Sequence, residues 1–199
     1  MNLPDLLATH QYQYDGSHLN RNECTLCAMA MLITQAARQE GDAGFVLPAA
    51  KLRRWLDRIP FRYPRFPAWF PGPGGATHPL AAFWGVRDYG RKLRRKGHKF
   101  AWQPRLRSGQ TQADLQAALD ANYPTLIYGV GATGIPHVVV PIGHGPEGWL
   151  ILDPGVPSAK NPVIWSDEQL QKWWRNYGIL YHAGTMLSLV PDSSAEIGK

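Results

Sequence analysis

The feature that most constrains this chain is a change of hydrophobic period near Pro124. Ahead of it, Met29, Leu32, Ile33 and Ala36 recur at helical spacing, predicting a buried helix from about Cys24 to Gln39 that stops near Gly41. A second helix is expected through Leu52, Trp55 and Leu56, and a third from Pro79 to Lys96, opened by Thr77 and closed by Gly97. Lys99 to Gln103 reads as a short strand, and Thr111 with Asp114 has capping-box spacing for a helix with Leu115, Ala118 and Leu119 inward. Beyond Pro124 the runs from Thr125, His137 and Trp149 are strand-like and separated by glycine-rich turns, as in an antiparallel sheet. Ser166 and Gln169 cap a further helix through Leu170, Trp173 and Trp174, and Thr185 to Val190 forms a closing strand. Helices lead and strands follow, so the class is α+β.

At 199 residues the chain is expected to form a single domain over 1–191, with a disordered tail at 192–199. The segment 60–75 has five prolines between Pro60 and Pro73, each fixing φ and removing a donor, so it is a loop or lid. With the helix at 79–97 it forms an insertion on the domain. That helix carries most of the charge: the window from Arg87 to Arg107 has nine Lys or Arg against Asp88 alone, while the whole chain is +6. A basic helical face is ordinarily a solvated one; the other reading is a contact for an acidic partner: nucleic acid or another polyanion, an anionic membrane or an acidic substrate.

Two cysteines three residues apart do not staple a fold, so reduced thiols in a reducing compartment are expected. The N-terminus shows no basic start followed by an apolar run, and the apolar stretch from Ile179 to Val190 is too short to span a bilayer. The expectation is a cytoplasmic protein without a membrane span, export by another route remaining open.

Cys24 begins the long helix, His137 opens a strand, and Asp153 ends the next. A thiol at a helix N-terminus, with an imidazole and an acid arriving from later strands, is the layout of a thiol nucleophile with its base and orienter. The helix terminus and a neighbouring imidazolium together favour the thiolate. Taken singly, each residue also has a plain structural role: a buried small side chain, a turn histidine and a turn aspartate before Pro154.

The succession of motifs weighs against those separate roles. Gln13-Tyr14-Asp15, Cys24 with Ala30-Met31, Leu115 to Leu119 before Tyr123-Pro124, His137-Val-Val-Val-Pro-Ile-Gly143, and Ile151-Leu-Asp153-Pro154 resemble the papain-like cysteine peptidases of the bacterial bacteriocin-leader-processing type and their stand-alone relatives. The resemblance covers about Gln11 to Pro154. It implies a papain-like fold with a helical half carrying the Cys and an antiparallel sheet half carrying the His and Asp. It also implies Cys24 as nucleophile, His137 as general base and acid, Asp153 as orienter and Gln13 as oxyanion donor beside the Cys24 backbone N–H. Two departures stand out: Thr25-Leu26 replaces the usual Gly-Pro after the Cys, and Gln13 lies farther from Cys24 than is usual. Asn20 or Asn22 is the alternative amide, and Asn161 the alternative orienter.

The expected activity is hydrolysis of a peptide or isopeptide amide through an acyl-thioester on Cys24, with a peptide or protein substrate and no cofactor or metal. Transfer of the acyl group to an amine on the same fold, and a non-catalytic polyanion-binding module using the basic helix, are the alternatives. Cys24-Thr-Leu-Cys27 is also a C-x-x-C at a helix start, as in dithiol redox proteins, but no core strand precedes it; a zinc site with His10 or His18 lacks a second ligand pair. His78, His98, His144 and His182 read as structural.

Overall fold

The computed structural model describes residues 1–14, 24–57, 78–131, 134–175 and 183–192. The proline-rich segment 60–75, His18, Asn20, Asn22, Thr77, His182 and the tail from 193 onward lie outside the described residues. In chain order the elements are α1 (Leu3–Leu7), α2 (Cys24–Gln39), α3 (Ala49–Asp57), α4 (Pro79–Arg95), β1 (Trp102–Arg107), α5 (Gln112–Asp120), β2 (Thr125–Val130), β3 (Pro136–Gly145), β4 (Gly148–Leu152), β5 (Val163–Trp165), α6 (Asp167–Arg175) and β6 (Met186–Pro191). The class is α+β.

The six strands form one antiparallel sheet in the order β1-β6-β2-β3-β4-β5. Alternation along each strand splits its side chains between two cores. Leu126, Tyr128, Val138, Val140, Leu152, Leu187 and Leu189 pack with α2, α3 and α4. Ile127, Val139, Trp149, Ile151 and Met186 pack with residues of α5 and α6. Helix α2 is buried along almost its whole length, from Cys24 to Ala37, so it is enclosed on all sides where the sequence showed one inward stripe.

Several boundaries moved. The strand expected at Lys99 to Gln103 begins at Trp102 and runs to Arg107, because its partner β6 sets the register from Trp102 opposite Pro191 to Arg107 opposite Met186. Helix α4 is capped by His78, whose Nδ1 accepts from the Leu80 N–H at 3.1 Å. The closing strand β6 is interior, inserted between β1 and β2, a long-range pairing that local periodicity does not encode. The short elements α1 and β5 were not anticipated. The capping boxes at Thr111/Asp114 and Ser166/Gln169 are present as expected. Among the described residues no helix is long and apolar enough to cross a membrane.

Candidate active site

Cys24 is the first residue of α2 and is only 3% exposed, tucked against the core that the rest of the helix builds. His137 is the second residue of β3, and Asp153 follows β4 directly, the two strands being adjacent and antiparallel. The turn between them therefore returns Asp153 to the level of His137, and His137 Nε2 lies 2.6 Å from Asp153 Oδ1. Cys24 bears on the same ring, its hydrogen bond and its charge both favouring the protonated form of His137. Burial alone would lower the His137 pKa; hydrogen bonds to Asp153 and Cys24, and the charges of both, outweigh it and push the value up to about 10. A ring gripped from both sides by groups that favour its charged form is an imidazolium over the whole neutral range.

The carboxylate is aimed by its own loop. Asp153 Oδ1 accepts from the Gly155 N–H at 2.7 Å, leaving the His137 direction as its other contact. The Asn161 side chain spans the loop: its Oδ1 accepts from the Asp153 N–H at 2.9 Å, and its Nδ2 donates to the carbonyls of Val156 at 2.9 Å and Pro157 at 3.2 Å. Asn161 is thus a brace for Asp153, while the orienting contact to His137 comes from Asp153 itself. From the far end of the chain, His10 sits with Nε2 at 3.0 Å from the Asp153 carbonyl and Nδ1 at 2.8 Å from Ser158 Oγ. A carbonyl only accepts, so Nε2 carries the proton and Nδ1 accepts from the serine hydroxyl. Burial pushes the His10 pKa down, only partly opposed by the Asp153 carbonyl and charge, which keeps this ring neutral.

Gln13 joins the same corner. Its backbone N–H donates to the Pro154 carbonyl at 2.9 Å, and the residue is 5% exposed. The structure thus brings Cys24, His137 and Asp153 into one hydrogen-bonded chain and seats Gln13 beside its acidic end. Sequence reasoning missed His10, which was weighed only as a metal ligand, and the bracing role of Asn161. The first had no local signal, being 143 positions from its partner. The second had one: an Asn closing an Asp-Pro-Gly turn.

Two glycines let neighbouring side chains come close at this corner. A Cβ on Gly155 would lie 3.1 Å from Asp153 Oδ1 and 3.5 Å from His137 Cε1. Gly129 is the register partner of His137 on β2, and the Trp173 indole of α6 occupies the space a Cβ there would need. His98 and His144, read as structural, pair with Asp42 at 3.2 Å and Asp167 at 3.1 Å.

No protein-family model matches the chain, and no curated protein sequence does. Solved structures do. The peptidase domain of Streptococcus ComA, a bifunctional ABC transporter involved in a quorum-sensing pathway, is 17% identical with a TM-score of 0.55, over 92% of this chain and 98% of that one. A Bacillus anthracis protein assigned to the C39-like peptidases is 16% identical with a TM-score of 0.62, over 93% of this chain and 96% of that one. These likenesses fall on the family that the motifs around Cys24 and His137 resemble, and at this identity what they establish is architecture: the chain has the papain-like α+β fold of C39-like peptidase domains.

Proposed function

We propose that this chain is a cysteine peptidase that cleaves a peptide or isopeptide amide through an acyl-thioester on Cys24. The observation that carries the reading is the unbroken contact from the Cys24 thiol through His137 to Asp153. With its proton already held on His137, the Cys24 thiolate attacks the scissile carbonyl. The resulting oxyanion is received by the Cys24 backbone N–H and the Gln13 side chain, the latter a role that the resemblance to the leader-processing peptidases implies. The imidazolium then protonates the leaving amine, the C–N bond breaks, and water assisted by His137 hydrolyses the thioester. Asp153 holds the ring and stabilises its charge without itself gaining the proton.

Intact-mass analysis after a low dose of iodoacetamide near about pH 6 tests the first step, because ordinary thiols are almost wholly protonated there. A fast single adduct mapping to Cys24 is expected. A protein that alkylates no faster than a denatured control at that pH would remove the thiolate from the mechanism.

The basic face fits recruitment of an acidic segment of the substrate. Arg91, Arg94 and Arg95 of α4 and Lys96, its C-cap, are exposed, as are Arg105 and Arg107 of the neighbouring edge strand β1. Neutralising Arg91, Arg95, Lys96, Arg105 and Arg107 to Gln is expected to leave hydrolysis of a small uncharged peptide unchanged while raising KM for one with an acidic extension, an effect that salt of about 0.1 M and above erases. Equal KM values for the two peptides in the unsubstituted protein would remove the recruiting role.

A further inference from the structure

We propose that Cys24 and Cys27 form a reversible disulfide under peroxide, so that the first turn of α2 is a modification site protecting the nucleophile from irreversible oxidation. The inference rests on the reading of Cys24 as the reactive thiolate, but its substance is the second thiol, for which the hydrolytic mechanism has no use.

Both cysteines are present as thiols, Cys24 3% and Cys27 1% exposed, three residues apart on the turn that opens α2. Residues at that spacing are neighbours on one helix face, with Cβ atoms about 5–6 Å apart. Each Cα–Cβ bond tilts toward the helix N-terminus, so the Cys27 side chain leans toward the turn that carries Cys24. A disulfide needs Cβ atoms about 3.5–4.5 Å apart, leaving roughly 1–2 Å to close. The closing movement belongs to Cys24. As the first helical residue, its N–H has no intrahelical acceptor, so its torsions adjust without breaking a ladder hydrogen bond. Cys27 stays fixed one turn inside α2, in the apolar cluster that holds both cysteines.

The chemistry closes on its own atoms. With its proton on His137, the Cys24 thiolate attacks one oxygen of hydrogen peroxide; the O–O bond breaks, and sulfenic acid and hydroxide form. The Cys27 sulfur then attacks the sulfenic sulfur, the S–O bond breaks, and the departing hydroxide takes the Cys27 proton. Hydroxide from the first step collects the proton stored on His137. Two thiols and one peroxide thus give one disulfide and two waters, and an external dithiol reverses the change by exchange. Without Cys27, sulfenic acid in this buried site would meet a second peroxide and pass to sulfinic acid, which a dithiol does not reduce.

The test treats the full chain with stepwise hydrogen peroxide, blocks remaining thiols, and reads peptide masses and residual iodoacetamide reactivity. The unsubstituted protein is expected to lose the mass of two hydrogens in the peptide holding both cysteines, to lose Cys24 reactivity with it, and to regain both with dithiothreitol. Cys27→Ala, chosen because it adds no buried hydroxyl, and Cys27→Ser as a second variant should alkylate normally before peroxide. After it, both should carry two added oxygens on Cys24 and become irreversibly inactive at least about 10-fold faster than the parent. A reactive Cys24 that peroxide drives directly to sulfinic acid in the unsubstituted protein would overturn the proposal alone. A Cys24 that resists iodoacetamide before any peroxide is added would take the nucleophile reading down with it.

Discussion

The N-terminus of α2 and the corner after β4 hold their reactive groups by different physics. Cys24 is placed by burial: fourteen of the sixteen residues of its helix are enclosed, and the thiol goes where the packed helix ends. Asp153 is placed by directed contacts: His10, Asn161 and the Gly155 N–H each fix one of its polar groups, while Gln13 ties the next residue. Burial is non-directional and sets position; hydrogen bonds fall off steeply with angle and set orientation. A nucleophile must be in the right place, and an orienter must point the right way, so the two regions are built to suit different demands.

The sharpest break in that comparison is at the nucleophile. Cys24→Ala removes one sulfur from a site already defined by packing, so the far-ultraviolet circular dichroism and the unfolding midpoint should barely move. Peptide hydrolysis should fall by about ten-thousand-fold or more, as when other hydrolase nucleophiles are deleted. Folded Cys24→Ala protein with undiminished hydrolysis would take this residue out of the chemistry.

At the other end, Asp153→Asn keeps the shape and removes the charge. His137 is raised on folding to about 10. A raised base contributes stability that is complete below its unfolded value of about 6.5 and is lost as pH rises through the folded value. Peptide turnover, which needs the imidazolium to protonate the leaving amine, should persist into alkaline solution and fall near pH 10, where the stability that His137 contributes is lost as well. In Asp153→Asn the alkaline limb should move down toward neutrality, with turnover reduced about 100- to 10,000-fold. An unmoved limb would separate Asp153 from the charge on His137.

A crossed pair of substitutions then separates position from orientation. Leu32→Ala opens a cavity under α2 at a fully buried position and should cost about 2–5 kcal/mol of stability, with little change in the alkylation rate of folded protein. Asn161→Ala removes the loop brace. It should cost only about 1–3 kcal/mol yet slow peptide turnover about 10-fold, because Asp153 loses its heading. If the two variants lost stability and activity in the same proportion, the division of labour drawn here would not hold.

The contrast also explains what the sequence made legible. Helix α2 repeats its apolar spacing for four turns, and the strands at Thr125, His137 and Trp149 alternate between turn signals, so elements and class could be read directly. His137 and Asp153 stood at the ends of consecutive strands, and a hairpin brings such ends together. Local pattern did not carry the insertion of β6 between β1 and β2, the three-residue shift of β1, or the reach of His10 across 143 positions. Each depends on which distant partner a segment meets, and neither period nor capping chemistry encodes that. Gln13 was legible only through a family resemblance, and the structure adds its place beside the acid.

The smallest expected effect distinguishes His10 as a donor from His10 as filler. His10→Gln can keep an N–H near the position of Nε2, whereas His10→Ala cannot, so the glutamine variant should retain most turnover and the alanine variant should lose a few-fold along with about 1 kcal/mol. The two also differ from the parent in pH response. A histidine whose pKa is lowered by folding contributes stability that is present above its unfolded value, about 6.5, and is lost as pH falls through the folded value. His78 is shifted the same way by burial but is common to all three proteins, so it cancels in the difference. Denaturant midpoints at about pH 7 and about pH 5 should therefore show the parent's advantage over His10→Gln shrinking with acid. A constant difference across that range would mean that the ring is not held neutral against Asp153. The N-terminal segment would then fasten the acidic corner by shape, as α2 fastens Cys24.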